Sequence, residues 1–217
     1  MDQTYNNFTN YKNNYKPKYS ESRTMIGLDG NLIKSTFIKK NTVCNENNNE
    51  NNNENNNLIR AISVFNTNNI KGTVFFEEKL VYNNNNPIVK VKINLSGFEP
   101  NTTHGFHIHE SGDLTKGCDS LCGHFNPYKT EHGGREDVIR HVGDLGNIYT
   151  NSDGIVQMEF IDHSIMLRGD EANIIGRGLV VHEGIDDCGK GNHHTSKTTG
   201  NSGKRIACAI IGYASKC

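Results

Sequence analysis

The stretch Gly105-Phe106-His107-Ile108-His109-Glu110 reads as a β-strand that carries two imidazoles on either side of a β-branched isoleucine. In a strand, residues i and i+2 point to the same face of the sheet. The spacing therefore predicts that His107 and His109 project into one site. Because imidazole is the commonest protein ligand of transition metals, the pair predicts a metal site.

Further candidate ligands follow this strand along the chain: His124, His132, His141, Asp144 and His182. With the first two they make six histidines and one carboxylate. Three histidines and one aspartate suit a closed zinc site, whereas a set of histidines alone favours copper. Seven ligands fall one short of two four-coordinate sites. A single histidine that bridges two metals through both ring nitrogens would close this gap.

From residue 58 onward the chain has the pattern of short β-strands. Residues 88–95 alternate apolar side chains with lysine or asparagine, as a half-buried antiparallel strand does. Other segments rich in β-branched and aromatic residues are 61–65, 71–76, 155–161, 179–182 and 205–211. No stretch of ten or more residues has a convincing helical period. Many short strands with glycine-rich turns predict an all-β sandwich or barrel.

Two long regions lack this strand pattern, residues 111–140 and residues 183–204. Structureless loops of such length in a compact domain are usually functional. The first of them contains His124 and His132, so a bound metal would order it.

Residues 1–57 differ from the rest in composition. We predict a low-complexity, disordered extension here, ahead of one domain over residues 58–217. Residues 45–57 are almost entirely asparagine with interspersed glutamates, and such a tract cannot bury enough apolar surface to offset chain entropy. Self-association through the asparagines is the alternative. The patch over residues 25–38 has enough apolar character for a short element.

The composition narrows the class and the compartment. A formal net charge of −1 over 217 residues gives no reason to expect nucleic acid or an anionic membrane as a partner. The chain has no apolar run near 18 residues, and its start lacks the basic and apolar regions of a secretory signal. We therefore expect a cytoplasmic protein, in which the six cysteines would ordinarily be thiols.

Six blocks of the sequence resemble the copper/zinc superoxide dismutase family, in the same order: GFHIHE (105–110), HFNP (124–127), HGG (132–134), RHVGDLGN (140–147), LVVHE (179–183) and GNSGKRIACAIIG (200–212). One such block is weak, but six in order are specific. The resemblance covers residues 58–217. It implies an eight-stranded antiparallel Greek-key β-barrel with an immunoglobulin-like sandwich arrangement. It also implies an antioxidant enzyme that converts superoxide to dioxygen and hydrogen peroxide with copper and zinc.

The same resemblance implies a role for individual residues. The copper ligands would be His107, His109, His124 and His182, and the zinc ligands His124, His132, His141 and Asp144. Catalysis would depend on the bridging His124, which carries a proton, and on Arg205, which attracts and docks the anion. Asp186 would link a copper histidine to a zinc histidine. The resemblance further implies a disulfide between Cys118 and Cys208, an exception to the cytosolic rule.

One departure from the family pattern lies in residues 183–204, which form the electrostatic loop of that family. His194, Thr195 and Thr198 stand where the family has an acidic pair and a lysine, and Lys197 comes one place earlier. Steering of a small anion depends on the field of many charges. We therefore expect this change to affect the rate but not the presence of activity.

Some cysteines and histidines fall outside the implied sites. The extra cysteines are Cys44, Cys122, Cys188 and Cys217, of which Cys122 is close enough to Cys118 in sequence to compete for the bridge. The histidines that we expect to be ordinary polar residues are His104, His163, His193 and His194.

The resemblance also implies a homodimer, with Gly112 and residues 210–212 matching the interface region in type, and copper loading by a chaperone. Two other functions compete with the enzyme. A copper chaperone for superoxide dismutase carries a similar barrel but needs a Cys-x-x-Cys motif near its start, where residues 1–57 hold only Cys44. A non-catalytic metal-binding or self-associating protein is the other alternative.

Overall fold

The computed structural model describes residues 58–67, 69–80 and 87–215, together with the backbone of residues 20–26 and 32–38. The described residues contain twelve strands: β1 (Ser20–Ile26), β2 (Leu32–Ile38), β3 (Ile59–Thr67), β4 (Ile70–Leu80), β5 (Pro87–Ser96), β6 (Thr103–Ile108), β7 (Thr115–Cys118), β8 (Asp144–Tyr149), β9 (Ile155–Asp162), β10 (Gly178–His182), β11 (Arg205–Ile210) and β12 (Gly212–Tyr213). A four-residue helix, α1 (Ser196–Thr199), and a 3-10 turn at Asp119–Leu121 are the described helical elements.

Two antiparallel sheets form the body of the protein. One has the order β12-β3-β4-β5-β9 and the other the order β11-β10-β6-β8. The prediction for residues 88–95 is confirmed, because buried and exposed side chains alternate along β5 from Val89 to Ser96. The buried faces of both sheets supply one core, which includes Phe76, Val91, Phe106 and Leu145. An all-β fold with a barrel-like pair of sheets is therefore confirmed.

The two sheets join along the last strand of the chain. β11 lies in the four-stranded sheet, and β12, which follows it after Ile211, lies in the five-stranded sheet. Across this seam, Ser63 Oγ donates to the Ile210 carbonyl at 3.2 Å and Thr67 Oγ1 donates to the Cys208 carbonyl at 3.2 Å. The nine strands of the two sheets become the expected eight when β11 and β12 are counted as one bent strand.

The extension contains a hairpin. β1 pairs with β2 in antiparallel register, from Ser20 opposite Ile38 to Ile26 opposite Leu32. β2 lies within the apolar patch over residues 25–38, where isoleucine and threonine favour extended backbone, whereas β1 overlaps the patch only at Met25 and Ile26. The chain divides into two compact units, Met1–Asn48 and Asn49–Cys217. The asparagine tract, on which the prediction of disorder was based, lies outside the described residues, and the division at residue 57 stays a prediction.

Two connections carry the residues of interest. The first loop, residues 109–143, contains β7 and the 3-10 turn, and the second loop, residues 183–204, contains α1. Both coincide with regions in which the sequence predicted no strand pattern, but the four-residue strand β7 in the first loop was not predicted. Within the described residues, no helix is long and apolar enough to cross a membrane.

Candidate metal centre

Strands β6 and β10 bring three histidines into one buried site. His107 lies on β6, His109 directly follows this strand, and His182 ends β10, which pairs with β6. The register shifts where β6 pairs with β8 at Gly105/His107, and again where β10 pairs with β11 at Val181/His182. Such bulges change the direction of side chains and are common beside active sites. As the i, i+2 spacing predicts, His107 and His109 enter the same site.

A four-histidine cluster forms there. Ring nitrogens of His109, His124 and His182 lie within 4.8 Å of one another, and His109 Nε2 is 3.4 Å from His182 Nε2. His107 completes the cluster: its ring stacks on His124 with the centroids 4.1 Å apart and meets the edge of His182 at 4.9 Å. Four imidazoles without a carboxylate among them form a donor set that suits copper.

Apart from His124, each imidazole of this cluster is oriented by a hydrogen bond on one of its nitrogens. His109 Nδ1 donates to the Cys122 carbonyl at 2.9 Å, and His182 Nδ1 donates to the Gly203 carbonyl at 3.1 Å. His107 Nε2 donates to Asp186 Oδ2 at 2.8 Å. These bonds select the tautomers, so the opposite nitrogens keep their lone pairs for a metal.

A second, aspartate-centred cluster lies on the other side of His124. Asp144 Oδ1 is 2.9 Å from His124 Nδ1 and 3.1 Å from His141 Nδ1, and Asp144 Oδ2 is 3.0 Å from His132 Nδ1. The backbone nitrogens of Gly133 and His141 also donate to Asp144 Oδ2, at 3.1 and 2.9 Å. The group whose ligand atoms all lie within 4.8 Å contains His107, His124, His132 and Asp144, and His141 joins it through Asp144 and through ring contacts with His124 and His132. Three imidazoles and one carboxylate suit zinc.

His124 belongs to both clusters. Its Nδ1 faces Asp144, while its Nε2 is buried and has no hydrogen-bond partner. Among the described residues, His107 Nδ1 is buried and unpaired in the same way. A buried polar atom without a partner is costly, and metal coordination is one way to satisfy it. His124 and His107 both belong to the clusters of possible metal ligands, so the donor set fits two bound metal ions.

Burial keeps most of these histidines neutral. It lowers the pKa of His107 to about 3, and the neighbouring His124 contributes to this shift. Burial likewise lowers the pKa of His109 to about 2 and that of His182 to about 4. A neutral imidazole has the free lone pair that a metal needs, so these residues are ready to bind near neutral pH.

The aspartate-centred cluster is charged instead. Burial opposes ionisation of Asp144 and Asp186, but hydrogen bonds from histidines outweigh it and lower the pKa of both carboxyl groups. Burial alone would lower the pKa of His132, whereas its bonds with Asp144 and Asp186 raise that pKa to about 9. Without metal, a proton on His132 therefore occupies the place of a cation between two carboxylates.

Comparison with known sequences identifies this arrangement. The sequence model described as copper/zinc superoxide dismutase matches residues 70–211. The chain belongs to the copper/zinc superoxide dismutase family.

Several relatives support this membership. The chain is 53% identical over 145 residues to the copper-zinc superoxide dismutase of Paramecium bursaria Chlorella virus 1, covering 67% of this chain and 74% of the relative. It is 50% identical to the extracellular copper-zinc superoxide dismutase of Drosophila melanogaster, covering 71% and 82%. It is 44% identical to that of Yarrowia lipolytica, covering 71% and 98%. The crystal structure of the clock protein EA4 has 41% identity and a TM-score of 0.65, and the match covers 71% of this chain and 94% of EA4.

Asp186 connects the two clusters of this superoxide dismutase fold. Its Oδ2 accepts from His107 Nε2 and its Oδ1 from His132 Nε2, both at 2.8 Å. The Cys188 backbone nitrogen also donates to Oδ1, at 2.7 Å. Asn147 holds the backbone of Asp186 through two bonds of 2.9 Å. The carboxylate therefore orients one histidine of each cluster from the second loop.

Arg205 lies at the edge of the four-histidine cluster. Its Nη1 donates to the Cys118 carbonyl at 2.6 Å, and its Nη2 donates to the Cys122 carbonyl at 2.5 Å. The Cys122 carbonyl is the one that also accepts from His109. Cys118 forms a disulfide with Cys208, with the Cα atoms 5.7 Å apart, and so ties the first loop to β11. The guanidinium of Arg205 and His109 of the four-histidine cluster thus donate to the same backbone carbonyl.

Two lysines of the second loop pair with carboxylates of the first loop. Lys197 Nζ is 3.4 Å from Glu131, and Lys190 Nζ is 3.0 Å from Asp137. The Lys197 carbonyl also accepts from the backbone nitrogen of His132 at 3.0 Å. In this loop, which departs from the family pattern at His194, Thr195 and Thr198, the charge of Lys197 is therefore partly neutralised by Glu131.

Sequence reasoning missed the groups that orient the histidines. The carbonyls of Cys122 and Gly203 and the side chain of Asn147 have no signature, because any residue offers a carbonyl and asparagine is common. Of the histidines expected outside the site, His104 is buried and its Nδ1 donates to the His182 carbonyl at 2.8 Å. His163, His193 and His194 are exposed.

Proposed function

We propose that this member of the superoxide dismutase family disproportionates superoxide with copper held by His107, His109, His124 and His182, and with zinc held by His124, His132, His141 and Asp144. One observation carries the proposal: His124 presents Nδ1 to the aspartate-centred cluster and an unpaired Nε2 to the four-histidine cluster. The complete histidine set favours the enzyme over a copper chaperone, which only delivers the metal.

Bound copper would supply the one-electron redox chemistry of the reaction, which zinc cannot supply. The protein holds the ligand nitrogens in place and keeps them neutral. Arg205 would attract the substrate anion to the cluster, because it is partly exposed and shares the Cys122 carbonyl with His109. His124 Nε2 would carry the proton that reaches the developing peroxide. Asp186 would keep His107 and His132 aligned throughout.

The test combines metal analysis with a superoxide-consumption assay on the full chain loaded with both metals. We expect one copper and one zinc per chain and catalytic loss of superoxide. His124→Ala should lose most activity and lower the content of both metals, because one side chain serves both clusters. His163→Ala, an exposed histidine outside the site, is the matched control and should match the wild type. Bound metals without superoxide consumption would favour the non-catalytic metal-binding protein.

We further propose that two copies form a homodimer through the region around β3 and the end of β11. Val64 is 60% exposed on β3, and Ile62 on the same face is half-buried. Gly112 lies beside Ile210, and a methyl group on Gly112 would overlap the Gly176 carbonyl. Sedimentation should show a dimer that Val64→Glu weakens. Val138→Glu, at a fully exposed loop position, is the control and should leave it intact.

For localisation we propose the cytoplasm, where a copper chaperone would load the metal. The free thiols of Cys122 and Cys188 fit a reducing compartment. One relative from Drosophila melanogaster is extracellular, so cell fractionation is the deciding measurement. Recovery of the protein outside cells would contradict the proposal.

A further inference from the structure

Three cysteines meet around one turn of the first loop. Cys118 and Cys122 flank the 3-10 turn Asp119–Leu121, and Cys118 is bonded to Cys208. Cys122 is a free, exposed thiol. Leu121 in the turn is fully buried and packs with Val180 and Cys208. A thiol therefore stands one turn away from an existing disulfide, on the same packed segment.

The backbone of Cys122 is held in an unfavourable conformation. Its φ is 63° and its ψ is −151°, a region that glycine occupies almost exclusively. A side chain persists there only when its surroundings hold it. Here the Cys122 carbonyl accepts from His109 Nδ1 and Arg205 Nη2, while the flanking Leu121 and Gly123 carbonyls accept from the backbone of residues 110–111. Opening the turn would relieve this strain at the expense of those bonds.

We propose that Cys118, Cys122 and Cys208 form a thiol–disulfide exchange site, in which the bridge moves from Cys118–Cys208 to Cys122–Cys208. The Cys122 sulfur gives up its proton and attacks the Cys208 sulfur, and a new S–S bond forms. The Cys118–Cys208 bond breaks, and the Cys118 sulfur leaves with the electron pair and takes up a proton. One disulfide and one thiol are present before and after the step, so it needs no external oxidant or reductant.

The exchange is coupled to opening of the turn. Bridged cysteines need Cα atoms within about 4.4–6.8 Å, and the native pair lies at 5.7 Å. Cys122 is a free thiol on the far side of the Asp119–Leu121 turn, and opening of this turn would let it approach Cys208 to within that range. Unwinding withdraws the Cys122 carbonyl from His109 and Arg205 together.

The exchanged form would therefore hold its four-histidine cluster less well. Loss of an orienting hydrogen bond on a metal-binding histidine typically lowers metal affinity about 10- to 100-fold. This consequence rests on the proposed copper site, whereas the change of bridge does not.

The test maps disulfides in the full chain carrying Cys44→Ser and Cys217→Ser, so that the described cysteines alone can react. The metal-loaded protein is kept in a glutathione redox buffer, quenched in acid, alkylated and digested without reduction, and the linked peptides are identified by mass spectrometry. We expect a Cys122–Cys208 pair beside Cys118–Cys208. Adding Cys118→Ser should place most Cys208 in a bridge with Cys122. Adding Cys188→Ser, which removes the other free thiol, should change neither fraction.

Copper release to a chelator is the second readout. It compares Cys118→Ser, bridged through Cys122, with Cys122→Ser, which keeps the native bridge, and release should be at least about tenfold faster in the first. If no Cys122–Cys208 peptide forms in the protein with all three cysteines, the exchange site is refuted, whether or not Cys118→Ser folds. A Cys122–Cys208 bridge with equal copper release would support the exchange and refute its coupling to the copper site.

Discussion

Removing both Cys118 and Cys122 should expose how much the bridge of the first loop stabilises this barrel. The native disulfide closes a loop with a sequence separation of 90 residues. In the chain-entropy model, a bridge lowers the entropy of the unfolded chain by about 2.1 + 1.5R ln n cal/mol/K. With n near 90 this amounts to about 15 cal/mol/K, or about 4.6 kcal/mol at 25 °C. The double variant Cys118→Ser/Cys122→Ser should lose this amount of unfolding free energy.

Lost packing should lower the free energy of unfolding much less than the lost loop closure does. Cys208 is 7% exposed and stays in contact with Leu121 and Val180 as a free thiol, and Cys118 is only half-buried. The double variant is needed because Cys118→Ser alone leaves Cys122 to form a bridge of similar span. The single variant Cys122→Ser keeps the native bridge and is the matched control.

Urea unfolding of the metal-free protein, followed by circular dichroism without reductant, measures the effect. With a slope near 2 kcal/mol/M, the midpoint of the double variant should fall by about 2 M. The midpoint of Cys122→Ser should stay close to that of the wild type. Equal midpoints for the double variant and the wild type would refute the loop-closure reasoning, because at an equal slope they mean equal free energies of unfolding.

Four further predictions concern the site, the channel and the extension. Asp144→Ala should lower zinc content and melting temperature while copper still binds, and selective loss of copper in metal analysis would mean that the two sites are reversed. Arg205→Glu should lower the superoxide rate about tenfold or more with both metals bound, and added salt should slow the wild type but not the variant. In the metal-free protein, the pKa values of His107 and His182 are about 3 and about 4, below the ordinary 6.5. Below pH 6.5 the unfolded chain therefore binds more protons than the folded protein, and the free energy of unfolding falls as the pH falls. His132 is protonated in both states there, so calorimetry should show a melting temperature that falls from pH 6.5 towards 4, and a rise would contradict the burial argument. Deletion of residues 1–57 removes no strand of the two sheets and no candidate ligand, so activity and melting temperature should hardly change in the same assays.

The sequence by itself determined the fold class and the set of metal-site candidates. Alternation along β5 shows which face is buried because the period of a strand is two, and this information is local. The pair His107 and His109 is readable for the same reason. Histidine is also rare enough that six of them on a recognisable spacing indicate metal chemistry without coordinates.

Only the tertiary structure decided which nitrogen of each histidine is free. That choice depends on carbonyls of Cys122 and Gly203 and on the carboxylate of Asp186, which reach the site from 13, 21 and 79 residues away in the chain. The bulges that turn His107 and His182 arise from pairing with other strands, and the strained backbone of Cys122 arises from contacts made by His109 and Arg205. A sequence pattern gives the order of side chains along one strand, but it does not show which distant backbone groups they meet. The tautomers and the strain depend on backbone groups that meet only after the sheets have packed.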